Sequence, residues 1–282
     1  MAQLGRLTHD DLEQAAALSA GIGWNQTAED WARLLTLAPD GVFAAFEAGR
    51  LVATSSAVAY GDTLAWIGMM IVAPEHRGRG LGKRLLDAAL AAPGVPPGAV
   101  VGLDATDLGA PLYRARGFVG VEPIDRWGGE LRPSPAPAGV DVRPVAAADA
   151  AAVADWDAAR TGVDRRALVD HLLRAPGAAA WVATRGDEPV GYAAARPGRT
   201  RRHLGPLLAE DDDARDALLA TAAERLAGAP VFVDVVRSPA AGAAFVRAGL
   251  QVERRLTRMT RSLPRRVLSG APVWAAAGLE WG

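Results

Sequence analysis

A glycine-rich basic turn between an apolar strand and a helix is the feature that most restricts the fold of this chain. Residues 64–71 are apolar and predict a buried strand, and Leu85 begins an amphipathic helical pattern. The turn that joins them, residues 77–84, has glycine at positions 78, 80 and 82 and four basic side chains. A strand, a glycine turn and a helix start present free backbone N–H groups to an anion. The expected ligand of this turn is a pyrophosphate.

The spacing of the glycines separates this turn from two better-known phosphate loops. A Walker loop ends in Gly-Lys-Ser/Thr, whereas Lys83 is followed by Arg84. A dinucleotide-binding turn has the spacing Gly-x-Gly-x-x-Gly, whereas these glycines alternate. The pattern Arg-Gly-x-Gly-x-Gly after Val-x-Pro resembles the coenzyme A loop of the GCN5-related N-acetyltransferases, the GNAT family. The resemblance implies acetyl-CoA as the cofactor and acetyl donor, and no metal.

The predicted elements of the first half occur in the order of that fold. Strands and helices follow one another as β-α-α-β-β-β-α-β-α-β-β from about residue 4 to residue 132. The last strand pair is predicted at residues 118–121 and 126–131. We therefore predict a mixed α/β (α+β) fold in which residues 1–132 form the catalytic, acetyl-CoA-binding domain.

The second half repeats the first. Residues 133–140 are rich in proline and predict a linker, and residues 141–282 predict a second domain of the same type. Two landmarks recur in the same order: residues 67–72 correspond to 204–209, and residues 113–118 correspond to 245–250. The whole pattern is similar to that of bacterial tandem acetyltransferases of the YitH type.

The second domain differs from the first where chemistry would need it most. Residues 210–213 are four consecutive carboxylates in place of the glycine turn, and they would repel a pyrophosphate. Phe245 stands opposite Tyr113 and has no hydroxyl. We expect a degenerate domain that lines the substrate cleft, stabilises the first domain or forms a dimer. Residues 250–261 predict its last hairpin, and residues 273–276 of the tail predict a strand or a helix.

The resemblance assigns cofactor contacts to the strand end and to the turn. The strand would pair with the pantetheine amides, and the turn would take the pyrophosphate. Asp107 stands near the place of a family Asn that contacts the cofactor. The residues expected to contact the cofactor are Met70, Ile71, Val72, Arg77, Gly78, Arg79, Gly80, Leu81, Gly82, Lys83 and Asp107.

Two side chains are the candidates for proton transfer. Tyr113 lies where the family places its general acid, and it would protonate the departing thiolate; the alternative is a tyrosine that packs in the core. The strand before the turn has no carboxylate, so Asp104 is the nearest candidate for the base or for an anchor of the substrate ammonium. A structural role for Asp104, with a water chain in place of a base, is the competing interpretation.

The substrate pocket is expected beside the first two predicted helices. Trp24 and Asn25 lie in the glycine-flanked turn between them, and Trp66 is expected nearby. Aromatic faces can stack on a substrate or hold a cation, although such residues also form ordinary core.

Composition narrows the class of protein. The net charge of −1 gives no general attraction to nucleic acid or to a membrane, and the chain has no cysteine. The four histidines lack metal-ligand spacing, and no apolar segment is long enough to span a bilayer. A cytoplasmic protein is the expectation.

The function predicted from these features is N-acetyl transfer from acetyl-CoA to a primary amine of a small molecule by direct attack. Two alternatives stay open: acetylation of a protein lysine or N-terminus, and a non-catalytic sensor that binds acyl-CoA.

Overall fold

The computed structural model describes residues 2–263, 265–270 and 272–282. In the first half, the helices and strands follow one another in the predicted order up to the final strand pair. The elements of this half are β1 (Gln3–Arg6), α1 (Leu12–Gly21), α2 (Ala28–Leu37), β2 (Val42–Glu47), β3 (Arg50–Tyr60), β4 (Leu64–Val72), α3 (Leu81–Leu90), β5 (Val100–Ala105), α4 (Ala110–Arg114) and β6 (Val119–Gly129).

The second half has the same order of elements, which confirms the mixed α/β fold class. These elements are β7 (Asp141–Pro144), α5 (Ala150–Thr161), α6 (Arg166–Leu173), β8 (Ala179–Arg185), β9 (Glu188–Arg196), β10 (Arg202–Ala209), α7 (Asp212–Arg225), β11 (Val231–Val236), α8 (Pro239–Arg247) and β12 (Gln251–Arg261). None of the described helices combines the length and the apolarity needed to cross a membrane.

The start of α2 shows how the local sequence fixes the turn between α1 and α2, which borders the candidate site described below. Thr27 and Asp30 form the predicted capping box, in which the Thr27 N–H donates to the Asp30 carboxylate at 3.0 Å. The helix then buries Trp31, Leu34 and Leu35 against the first-half core. This anchor fixes the turn between α1 and α2 over the sheet.

The two halves share one continuous sheet because each gives its last strand to the other. The strand order is β1-β2-β3-β4-β5-β12-β6-β11-β10-β9-β8-β7. Strand β12 therefore lies between β5 and β6, and β6 lies between β12 and β11. The segment between Gly129 and Asp141, which contains the predicted linker, has no helix or strand.

The predicted strand pairs at the ends of both halves are wrong. Residues 119–129 form a single strand, and so do residues 251–261. Each of these strands bonds to neighbours on both edges, so no local turn is needed to provide a partner. Pro123 lies inside β6, where its lack of an N–H is tolerated and its carbonyl accepts from the N–H of Arg237 at 2.9 Å.

The tail crosses from the second half to the first. A short strand, β13 (Val273–Ala275), pairs with β10, so the strand alternative for this segment is confirmed. The following residues pack on the first half: Trp66 Nε1 donates to the Leu279 carbonyl at 3.0 Å, and the Tyr60 hydroxyl donates to the Trp281 carbonyl at 2.8 Å. Trp281 is completely buried.

Candidate active site

A cleft of about 530 Å³ opens beside the glycine turn. Both halves and the tail contribute to its wall, because β12 and residues 279–280 lie against the first-half strands. One end of the cleft is formed by the glycine turn, and the other by the turn between α1 and α2, by β12 and by the tail. The wall at this second end, which we call the acceptor end, contains Ile22, Trp24, Gln26, Arg126, Arg254, Leu256, Leu279 and Glu280.

The cleft exists because β4 and β5 separate. They pair in parallel only from Leu64 opposite Val100 to Trp66 opposite Gly102. Past that point β4 bends at Met69, whose φ of 47° marks an irregularity in the ladder with β3. The free edge of β4 at Met70, Ile71 and Val72 therefore borders the cleft, as the predicted pantetheine contacts require.

The glycine turn is shaped to receive an anion. Gly78 and Gly80 have φ values of 74° and 76°, a region that side-chain-bearing residues seldom adopt. Helix α3 then starts at Leu81, and in the described part of the chain the N–H groups of residues 78–83 have no hydrogen-bond acceptor. Free N–H groups at a helix start attract negative charge.

The basic side chains of the turn point in two directions. Arg77 and Lys83 line the cleft, and Arg77 Nε donates to the Val72 carbonyl at 3.1 Å. Arg79 does not line it; its guanidinium contacts the Glu47 carboxylate at 3.3 Å. Gly78, Gly80, Leu81 and Gly82 belong to the wall.

Tyr113 lies on the cleft wall where the resemblance places it. The side chain is 7% exposed and packs edge-on against Phe118, with ring centroids 6.0 Å apart. Its ring also covers Gly109, where a Cβ would come within 3.0 Å of it. Burial raises the pKa of the Tyr113 phenol well above its usual value near 10, so the hydroxyl keeps its proton at neutral pH.

The two aspartates near β5 differ in position, because Asp104 lines the cleft and Asp107 does not. The Asp104 carboxylate is fully buried and makes a bidentate ion pair with Arg258, at 2.9 and 3.0 Å. Burial raises the pKa of Asp104, and the Arg258 charge opposes this. Both oxygens are committed, which favours the structural interpretation. Asp107 is exposed and does not line the cleft; Thr106 does.

Of the three residues predicted to contact the substrate, only Trp24 borders the cleft. Asn25 is turned away, because its amide is bonded to the backbone of Thr200 and Arg201 in the second half. Trp66 is completely buried under the tail, and the Arg258 guanidinium lies 4.7 Å from its ring centroid.

Four polar side chains at the acceptor end were not among the predicted site residues: Gln26, Arg126, Arg254 and Glu280. The sequence contains one indication of the position of Glu280: β4 has no carboxylate and has a glycine at position 68. A Cβ at Gly68 would lie 2.8 Å from the Glu280 carbonyl oxygen, so the tail occupies the space that a side chain on β4 would fill. Only the fold could bring these distant segments together.

The second half has a similar strand separation, but the tail fills it. Strands β10 and β11 pair only at two positions near their starts, and β13 then pairs with β10. The Ala276 N–H donates to the Asp234 carbonyl of β11 at 2.8 Å, so the tail bridges both strands. At the start of α7, Asp211 accepts from the Ala214 N–H at 2.9 Å, which caps the helix from within the chain.

Comparisons with known proteins agree with this architecture. Two sequence-family models, each described as an acetyltransferase (GNAT) domain, match residues 38–120 and residues 153–268, one in each half. The chain is 30% identical over 200 residues to a holothin acyltransferase of Pseudoalteromonas sp. (strain SANK 73390), an alignment that covers 71% of this chain and 66% of that protein.

Solved structures show the same fold at lower identity. A candidate acetyltransferase from Pyrococcus horikoshii superposes with a TM-score of 0.81 and 21% identity, over 100% of this chain and 96% of the other. A tandem GNAT protein from the clavulanic acid biosynthesis pathway gives a TM-score of 0.63 and 15% identity, over 94% of this chain and 100% of the other. The chain therefore belongs to the GNAT acetyltransferase family, whose domain it carries twice in tandem.

Proposed function

We propose that this protein is an N-acetyltransferase that moves the acetyl group of acetyl-CoA to the primary amine of a small molecule by direct attack. One observation carries the proposal: a single cleft joins free N–H groups of a glycine turn, the open edge of β4 and the Tyr113 side chain. These are the three features needed to hold a diphosphate, to align a thioester and to protonate a thiolate.

The glycine turn and β4 hold the donor in this proposal. The N–H groups of residues 78–83 and the charges of Arg77 and Lys83 bind the diphosphate. The open edge of β4 from Met70 to Val72 pairs with the amides of the pantetheine arm, which directs the thioester toward Tyr113. Holding donor and acceptor together in attack geometry supplies a large part of the rate.

Tyr113 completes the transfer. The amine nitrogen forms its bond to the thioester carbon as the carbon–sulfur bond breaks, and the phenol gives its proton to the departing sulfur. The Asp104 carboxylate is paired with Arg258 and stabilises the floor of the cleft; it does not take a proton from the substrate. The ammonium loses one proton to water in the open cleft before attack. After attack the new amide nitrogen releases its second proton to water, and the Tyr113 phenolate takes a proton back from water.

We expect Arg77→Ala to raise the acetyl-CoA KM about tenfold to a hundredfold, because a charge-assisted hydrogen bond contributes roughly 1.5–3 kcal/mol. Arg84→Ala is the matched control, since Arg84 lies in the first turn of α3 and outside the cleft wall, where it donates to the Ala2 carbonyl at 3.3 Å. Steady-state kinetics at low ionic strength measure both variants. An acetyl-CoA KM that Arg77→Ala leaves unchanged would remove this side chain from the donor site.

The function itself is tested by release of free thiol from acetyl-CoA with three sets of acceptors. Small primary amines should support release, their tertiary N,N-dimethyl analogues should not, and lysine-containing peptides should be poorer because the tail closes the acceptor end. Faster turnover of peptides would favour the protein-acetyltransferase alternative. Tight acetyl-CoA binding without turnover of any amine or peptide would favour the sensor.

The second half takes no donor in this proposal. Strand β13 and Ala276 use the backbone groups that a pantetheine arm would need, and Asp211 caps the helix where a diphosphate would lie. The role of this half is to supply β12 and to hold the tail against the cleft.

A further inference from the structure

The acceptor end of the cleft contains one arginine more than it has carboxylates to pair. Arg126 makes a bidentate pair with Asp234, at 2.7 and 2.8 Å. Arg258 makes the pair with Asp104 already described. Behind the wall, the Arg196 guanidinium contacts the Glu280 carboxylate at 2.8 Å and the Asp30 carboxylate at 3.2 Å. Asp30 is also paired with Arg33, at 2.8 Å. These pairs account for the other arginines at this end.

Arg254 is the arginine left over. It lies on β12 directly opposite Arg126 of β6, and it lines the cleft. Throughout residues 2–263, 265–270 and 272–282, no side chain or carbonyl is hydrogen-bonded or ion-paired to its guanidinium. Burial lowers the pKa of Arg254 and the neighbouring Arg126 charge lowers it further, whereas the Asp234 carboxylate paired with Arg126 opposes this. A half-buried guanidinium beside a like charge is stabilised when an anion binds to it.

Among the described residues, the side-chain amide oxygen of Gln26 at this end also lacks a hydrogen-bond partner, and it is an acceptor. Gln26 is 7% exposed, and its Nε2 donates to the Glu280 carboxylate at 3.2 Å. That bond fixes the amide orientation, because the Arg196-paired carboxylate is itself an acceptor. The Oε1 atom of Gln26 is buried without a hydrogen-bond partner among the described residues. Gln26 also lines the cleft, so an N–H of a ligand that packs against this side chain would give the oxygen the partner it lacks.

We propose that the acyl acceptor is a primary amine that also carries a carboxylate, an amino-acid-type molecule, with its anion on Arg254 and its amine on Gln26 beside Glu280. This inference rests on the proposed acetyl transfer and adds the substrate class. The half-buried ring of Trp24 covers the apolar part of the acceptor. The net excess of one guanidinium at this end selects against amines without an anionic group.

Matched acceptor pairs test the proposal. Each pair consists of an amino acid and its carboxamide, with increasing distance between amine and carboxylate across the series, and a phosphonate analogue forms a further arm. We expect the wild type to prefer the carboxylate member of the best pair in kcat/KM by about tenfold to a hundredfold, the effect of one charge-assisted contact. Arg254→Gln should abolish this ratio, and Arg254→Lys should retain part of it.

Arg255→Gln is the control, because Arg255 is exposed on the neighbouring position of β12 and outside the cleft wall. It should leave the ratio as in the wild type. A wild type that turns over both members of every pair equally, or an Arg254→Gln variant with an unchanged ratio, overturns the inference while leaving acetyl transfer intact. If the enzyme prefers only the phosphonate analogues, the anion on Arg254 is of the phosphate type and not a carboxylate, and this result overturns the inference as well. If no amine supports the release of thiol from acetyl-CoA, the result would instead contradict the proposed function.

Discussion

Tyr113→Phe is expected to lower kcat by about a hundredfold or more, with little change in the acetyl-CoA KM, because a positioned acid contributes roughly 10²–10⁴ to such a step. The substitution removes one oxygen from a side chain that is 7% exposed and packs on Phe118 and Gly109. The ring stays in place, so the loss reports on the proton and not on packing.

The pH profile gives this prediction a second readout. Burial raises the pKa of Tyr113, so the protonated, active form persists to higher pH than it would for an ordinary phenol with a pKa near 10. The wild type should therefore show no loss of kcat from this group below about pH 10. A thioester with a more acidic thiol needs less help from an acid, and with it the penalty of Tyr113→Phe should shrink. An unchanged kcat across pH would exclude Tyr113 as the acid.

Asp104→Asn is expected to destabilise the protein by about 3–5 kcal/mol, because it leaves the completely buried Arg258 charge without its partner. Arg258 also donates to the carbonyls of Val267 and Leu268 and covers the ring of Trp66. The pair joins β5 of the first half to β12 of the second, so the loss should appear in the unfolding of the whole chain. Urea denaturation followed by circular dichroism measures it.

Two variants separate this structural role from a role as base. Asp107→Asn, in the exposed loop after β5, should change the free energy of unfolding by less than about 0.5 kcal/mol. The double variant Asp104→Leu, Arg258→Met removes both buried charges together and should recover most of the lost stability. If the recovered protein lacks activity while Tyr113 and the glycine turn are intact, Asp104 takes part in the chemistry.

The sequence was most informative where function depends on contiguous residues. The glycine turn, the strand before it and Tyr113 lie within a short stretch, and their chemistry follows from residue type and spacing. The repeat was also visible, because matching landmarks need only local comparison. These parts of the proposed donor site could therefore be named from the sequence alone.

The acceptor end could not be predicted in this way, since its residues come from four distant segments. Glu280 reaches the cleft because Gly68 leaves room for the tail, and Arg254 reaches it because β12 crosses into the first half. The alternation of apolar and polar residues and the strand propensity of each residue do not show which strands will become neighbours in the sheet. For the same reason Asn25 and Trp66 looked like substrate contacts, although the fold uses them to hold the loop before β10 and the tail.

Calorimetric titration with acetyl-CoA distinguishes one donor site from two, because in the proposal one cleft holds the donor while the tail fills its counterpart in the second half. We predict one molecule bound per chain. Gly80→Val should abolish binding, because Gly80 has a φ of 76° that a β-branched residue does not tolerate. Gly228→Val carries the same backbone strain at a φ of 73° in an exposed position of the second half, and it should bind as the wild type does. Two molecules bound per chain, or full binding by Gly80→Val, would show that the glycine turn of the first half is not the single donor site.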